Sequence, residues 1–180
     1  MILRPYQEQM VSKAVAALKK HGDTLAVAPT GAGKTVLLSA LAGRVGGKQL
    51  ILQHRDELTF QNAKKYREVN PRVRVGMFNA DIKDWKGDAT FAMVQTLCRD
   101  RALSTIPKLD LLVIDEAHHA VAPSYRKVVD AVRDKNPDCR IFGVTATPAR
   151  GDGKGLRHIF SNCCDQLSLH SLIAMGFLVR

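Results

Sequence analysis

The stretch from residue 24 to residue 41 constrains the fold more than any other part of the chain. An apolar run ends in Ala28-Pro29-Thr30-Gly31-Ala32-Gly33-Lys34-Thr35, after which Val36, Leu37, Leu38 and Leu41 recur at the spacing of a helix. A strand that turns through a glycine loop into a helix is the opening unit of a layered α/β sheet, and it obliges the rest of the chain to supply further strands and crossovers. Gly31 and Gly33 permit backbone conformations that aim several N–H groups at one point. The helix N-terminus adds partial positive charge there, and Lys34 adds a full one. Such a cup, lined by Pro29, Thr30, Gly31, Ala32, Gly33, Lys34 and Thr35, fits a triphosphate, and the Thr35 hydroxyl is placed to ligate a bridging Mg2+ ion. The generic GxxxxGK[ST] pattern has glycine where this chain has Ala28, so it fails at its first position.

The remaining chain meets the demand for strands. Short apolar runs recur at 24–28, 49–53, 73–78, 89–94, 109–114 and 140–144, several of them apolar on both faces, as strands covered by helices on both sides must be. Between them the spacing predicts helices over 34–44, 56–69 and 124–134, with an amphipathic helix over 7–20 in front and a last one over 168–179. With no internal repeat or low-complexity tract, the economical expectation is one α/β domain over 1–180, in three layers around a mainly parallel central sheet. In such sheets ligands sit at the carboxyl ends of the strands.

A second chemical signal falls at one of those ends. The run 109–114 leads into Asp115-Glu116-Ala117-His118, where two adjacent carboxylates can divide the labour. Asp115 would hold the hydrated metal and Glu116 would polarise the attacking water. No Cys or His stands at a spacing that would make His118 and His119 a zinc site, so coupling or packing is the better reading for them. Cys98, Cys139, Cys163 and Cys164 lack CxxC spacing and read as reduced thiols. With no secretory signal and no apolar run near the ~20 residues of a membrane helix, a cytoplasmic protein is expected. Lys and Arg outnumber Asp and Glu by 27 to 17, a net charge of +10 that makes a polyanionic partner physically reasonable. Trp85 stands alone in the polar stretch 81–88, and covering a sheet edge is preferred for it over stacking on a base.

Taken in order, these motifs resemble superfamily 2 helicases of the DEAD/DEAH kind, specifically the N-terminal RecA-like domain of the RadD-like and XPB-like branch with its type III restriction-subunit relatives. That family's phosphate loop reads AxxGxGK[ST], which accommodates Ala28. Leu3-Arg4-Pro5-Tyr6-Gln7 is similar to its Q motif, implying that Gln7, assisted by Arg4, reads the adenine edge. Val144-Thr145-Ala146-Thr147-Pro148 resembles its motif III, which implies that Thr145 and Thr147 couple the nucleotide state to nucleic-acid grip near Glu116 and His118. The resemblance places His118 with Lys34, Asp115 and Glu116 in the catalytic set. Gln53-His54-Arg55 resembles motif Ia and Val94-Gln95-Thr96-Leu97 a further strand-gripping motif, implying backbone contacts to nucleic acid from Gln53, His54, Arg55, Gln95 and Thr96.

The resemblance implies an ATP-dependent motor acting on nucleic acid, with DNA favoured over RNA. It also implies a second RecA-like domain carrying arginines that complete the ATP site, for which residues 156–180 leave no room. Two alternatives share the motifs: a duplex-DNA translocase or restriction-type motor that does not separate strands, and an ATP-gated nucleic-acid clamp. A P-loop small-molecule kinase would share Lys34 and Thr35 but is not expected to carry DEAH, TATP and LRPYQ in this order.

Overall fold

The computed structural model describes residues 2–29, 31–146 and 156–176, without the side chains of 56–58, 169 and 171. Its centre is a seven-stranded sheet of β1 (Asp23–Val27), β2 (Gln49–Gln53), β3 (Val75–Phe78), β4 (Ala89–Met93), β5 (Leu111–Asp115), β6 (Arg140–Thr145) and β7 (Cys163–Gln166), in the order β3-β4-β2-β5-β6-β1-β7. Every pairing between these strands is parallel. The helices are α1 (Pro5–His21), α2 (Lys34–Val45), α3 (Asp56–Val69), α4 (Val94–Leu97), α5 (Asp100–Leu103), α6 (Pro123–Lys135) and α7 (Leu169–Ala174), with a 3-10 turn at Ala117–Val121.

The double apolar character of the strands is used on both faces. On β2 and β5, Ile51, Leu111 and Val113 face a core shared with Met10 and Leu18 of α1, Leu37, Leu38 and Leu41 of α2, and Tyr66 of α3. Their alternates Leu50, Leu52, Leu112 and Ile114 face a second core with Leu97, Tyr125, Val128 and Val132. Each fully buried leucine removed from water contributes about 1.5–3 kcal/mol, so the covering helices are held by the sheet more than by their own propensity. At Gly143 the backbone comes so close to Phe160 that a Cβ would lie 2.4 Å from its ring, and the ring fills the notch that glycine leaves.

Most sequence boundaries stand within two residues of the structure. Besides α5 and the 3-10 turn at Ala117–Val121, neither of which was expected, three features differ. Val94 ends the expected fourth strand but opens α4, because the chain turns there to bury Val94 and Leu97 in the second core. The last helix, expected over 168–179, is α7 over Leu169–Ala174 followed by Gly176 at φ 80, and residues beyond 176 lie outside the described ones. Strand β7 was not expected at all, since Cys163-Cys164-Asp165-Gln166 is neither alternating nor apolar. It is an edge strand held through its flank: Ser161 N donates to Asp23 Oδ1 at 2.6 Å and Asn162 Nδ2 to Asp23 O at 2.8 Å. Trp85 packs tilted against Phe78, with ring centroids 5.0 Å apart, beside the outer strand β3, as the sheet-covering reading expects.

Candidate functional site

The strand order brings five loops into one line along the carboxyl edge of the sheet. From one side they follow β4 (Gln95, Thr96), β2 (Gln53, His54, Arg55), β5 (Asp115 to His118), β6 (Thr145) and β1 (the phosphate loop). Motifs scattered from Pro29 to Thr145 are thereby brought to one edge. Thr30 and Thr147, expected in the phosphate loop and the coupling motif, lie outside the described residues.

The phosphate loop takes the form its glycines allow. Gly31 sits at φ 94, and Gly33, the cap of α2, at φ 78, ψ 51, a left-handed conformation that a side chain would strain. The helix behind it starts at Lys34, so the loop faces the positive end of α2. Helix α1 is pinned to the loop from the other side: Tyr6 Oη and Gln7 Nε2 both donate to Ala32 O, at 3.0 and 3.1 Å, and Gln7 Oε1 accepts from the Arg4 N–H at 2.9 Å. Gln7, expected to read adenine, is thus also a buried strut for the loop.

The two carboxylates expected to share the chemistry sit in different surroundings. Asp115 is buried; burial pushes its carboxyl above the ordinary range, with the Lys34 charge pulling the other way. Glu116, directly after β5, is the one described non-glycine residue at positive φ, at 52°. Strain of this kind persists where the surrounding structure holds it, and here it turns the side chain onto Lys34, with which it forms an ion pair. His118 Nδ1 lies 2.8 Å from Thr145 Oγ1 and 3.7 Å from Glu116 Oε2, which joins the acidic strand end to the motif after β6.

Two features escaped the sequence reading. Asn62 of α3 accepts from the Thr35 hydroxyl at 3.0 Å, and its Nδ2 lies 2.9 Å from Gln53 Oε1 and 3.3 Å from Asp115 Oδ2. One buried amide thus ties the two expected metal ligands to the β2 loop. The available signal was a polar residue on the inward stripe Thr59, Asn62, Ala63, Tyr66 of an amphipathic helix. The other feature is a histidine stack: the His119 ring lies 4.2 Å from both His54 and His118, nearly parallel to His54. Burial, with the neighbouring His118 and His54, holds His119 below the usual histidine range. Gln53, His54, Arg55, Glu116, His118 and His119 line one cleft of about 370 Å³, in which Arg55 is exposed and makes no ion pair with a described residue. Gln95 is exposed on α4, and Thr96 half-buried beside it.

Comparison with known proteins gives the family of the chain. The family model described as "Type III restriction enzyme, res subunit" matches residues 1–150. The chain therefore belongs to that family and has the N-terminal RecA-like fold of the superfamily 2 helicases. It is 33% identical over 172 residues to IRC3 of Saccharomyces cerevisiae, covering 86% of this chain and 25% of that protein. It is 36% identical over 166 residues to irc3 of Schizosaccharomyces pombe, covering 86% of this chain and 27% of that protein. Both names carry the words "ATP-dependent helicase", and the chain spans about a quarter of each. The Hef helicase domain of Pyrococcus furiosus superposes with a TM-score of 0.68 at 26% identity, over 82% of this chain and 33% of that one. Among the described residues no helix is long and apolar enough to cross a membrane.

Proposed function

We propose that this chain is the ATP-binding half of a nucleic-acid motor, which binds ATP with magnesium and hydrolyses it in response to a polymer, DNA in preference to RNA. The observation that carries this reading is the pairing of Lys34 with Glu116: the cation of the phosphate loop and the carboxylate suited to activating water address the same point from neighbouring loops. With ATP in the loop, Lys34 neutralises phosphate oxygens and leaves Glu116 free to accept the proton of the attacking water. The water oxygen bonds to the γ-phosphorus as the bond to the ADP oxygen breaks. Thr35 and Asp115 fit magnesium, because they are hard oxygen donors joined through Asn62, and this ion needs only one or two protein oxygens beside phosphates and water. Bound there, the ion supplies charge neutralisation on the phosphates.

His118, through Thr145, is the coupling element, and Arg55 with Gln53, His54, Gln95 and Thr96 forms the backbone-contacting track. DNA is favoured because a Haloarcula marismortui relative, 31% identical over 156 residues, carries "DNA 3'-5' helicase" in its name, whereas one at 26% carries "RNA helicase". Four free cysteines suit a reducing compartment such as the cytoplasm. A second RecA-like domain is expected to add arginines worth about 10³ to 10⁵ in rate, so this chain alone turns over slowly.

The test is nucleotide affinity and ATP hydrolysis with and without single- and double-stranded DNA and RNA, beside Lys34→Ala and Glu116→Gln. The reading expects tight binding lost in Lys34→Ala, and slow turnover lost in Glu116→Gln with binding kept. Unchanged ATP affinity in Lys34→Ala would overturn it.

A further inference from the structure

Beyond the backbone track, a second cleft of about 490 Å³ opens at the outer end of the sheet, between the segment after β3 and helices α4 and α5. Its apolar wall is Phe78, Trp85 and Ala102, and its rim carries Lys83, Arg99 and Arg101, with no acidic residue among those that line it. Trp85 is held rather than free to swing: its Nε1 donates to Thr105 Oγ1 at 3.0 Å while its ring leans, tilted, on Phe78. The residue is still partly exposed. Lys83 is engaged with the backbone carbonyls of Asn79 and Ala80, but Arg99 and Arg101 are exposed and make no ion pair with any described residue.

We infer that this cleft takes an unpaired nucleotide of a nucleic-acid strand, its base against Trp85 and its phosphates against Arg99 and Arg101. The argument is charge complementarity joined to a held aromatic face, the combination by which proteins accept single strands irrespective of sequence. Its place supports the same occupant. Thr96 lines the cleft and also stands in the track proposed above, so a strand following the carboxyl edge past β2 and β4 arrives here. The inference rests on the nucleic-acid reading but differs from it in kind: the track grips backbone alone, whereas this cleft needs a base out of its stack. It therefore favours single strands over duplex.

Trp85 is the only tryptophan, so its fluorescence reports the cleft directly. The 180-residue chain is titrated with oligothymidylate, with a blunt DNA duplex and with thymidine monophosphate, while binding is followed separately by anisotropy of labelled oligonucleotide. The expected result is quenching by oligothymidylate alone. Arg99→Ala/Arg101→Ala is expected to lose the quench and roughly tenfold or more in single-strand affinity, and Trp85→Phe to weaken anisotropy binding less, both with unchanged thermal midpoints. Single-strand binding that is sensitive to Arg55→Ala, but leaves Trp85 unquenched and the double-arginine variant unaffected, overturns the cleft and leaves the track standing. Equal quenching by the mononucleotide overturns it in favour of a free-nucleotide site. Failure of every oligonucleotide to bind removes the nucleic-acid reading itself, and this inference with it.

Discussion

Replacing Gly33 by alanine tests how closely the first helix grips the phosphate loop. Two costs add. At φ 78 an alanine pays the left-handed penalty of about 1–2 kcal/mol. Its methyl carbon would also lie 2.7 Å from Gln7 Nε2, so the flexible amide must swing away and give up its bond to Ala32 O, a loss of about 0.5–1.5 kcal/mol. Together they predict about 1.5–3.5 kcal/mol, or about 3–14 °C in Tm for a domain of this size. Gly22 supplies the control, since at φ 82 its added methyl meets nothing within 4 Å, and Gly22→Ala should show the conformational part alone. Thermal unfolding by circular dichroism reads both, with nucleotide titration alongside: ATP affinity is expected to fall about tenfold, equivalent to about 1.4 kcal/mol, in Gly33→Ala and to hold in Gly22→Ala. Adding Gln7→Ala to Gly33→Ala should not lower Tm further by the full single-variant loss. Equal losses in the two glycine variants, or a Gly33→Ala protein as stable as the parent, would refute the close approach of Gln7.

Three further outcomes are expected. Asn62→Ala removes the one amide shared by Thr35, Gln53 and Asp115, and leaving buried oxygens without a donor should cost about 2–4 kcal/mol in urea unfolding and slow ATP turnover; a loss under about 0.5 kcal/mol would show that the network closes without it. Burial pushes the Cys139 thiol up to about 12 from an ordinary 9.0, so the fold holds this proton more tightly than the unfolded chain. The resulting stability is fully present below about pH 9 and is lost as pH rises towards 12, by about 1.4 kcal/mol at pH 10; urea midpoints at pH 8 and 10 should show the parent losing that much relative to Cys139→Ala, and parallel behaviour would disprove it. Gly143→Ala drives a methyl into Phe160 and should cost about 1–3 kcal/mol, partly restored by Phe160→Leu in the double variant; simple additivity of the two changes would mean that the ring and the glycine do not meet.

The parts of this molecule that were legible in its sequence are those whose physics is local. A glycine that must take positive φ, an apolar strand feeding a helix, and two carboxylates at a strand tip each carry their meaning within ten residues: Gly33 does take positive φ, Lys34 pairs with Glu116, and its charge reaches Asp115. What was missed depends on partners far along the chain. Asn62 gains its role from residues 27 and 53 positions away, and β7 exists because Asn162 and Ser161 find Asp23, which no local pattern announces. His54 and His119 were read separately, and only the adjacency of β2 and β5 stacks them.

The position of β1 also sets an order of events as the chain is made. The strand that carries the phosphate loop lies between β6 and β7, so that Thr24 waits for Phe142 and Leu25 for Cys163 before either edge is paired. At ~5–20 residues per second, synthesis leaves roughly 6–24 s between the appearance of Thr24 and that of Phe142. During that interval the strand has neither of its strand partners. The loop's sequence is made early, but both strand partners of β1 follow more than a hundred residues later, so a nascent chain stalled before residue 140 carries the loop beside an unpaired apolar strand.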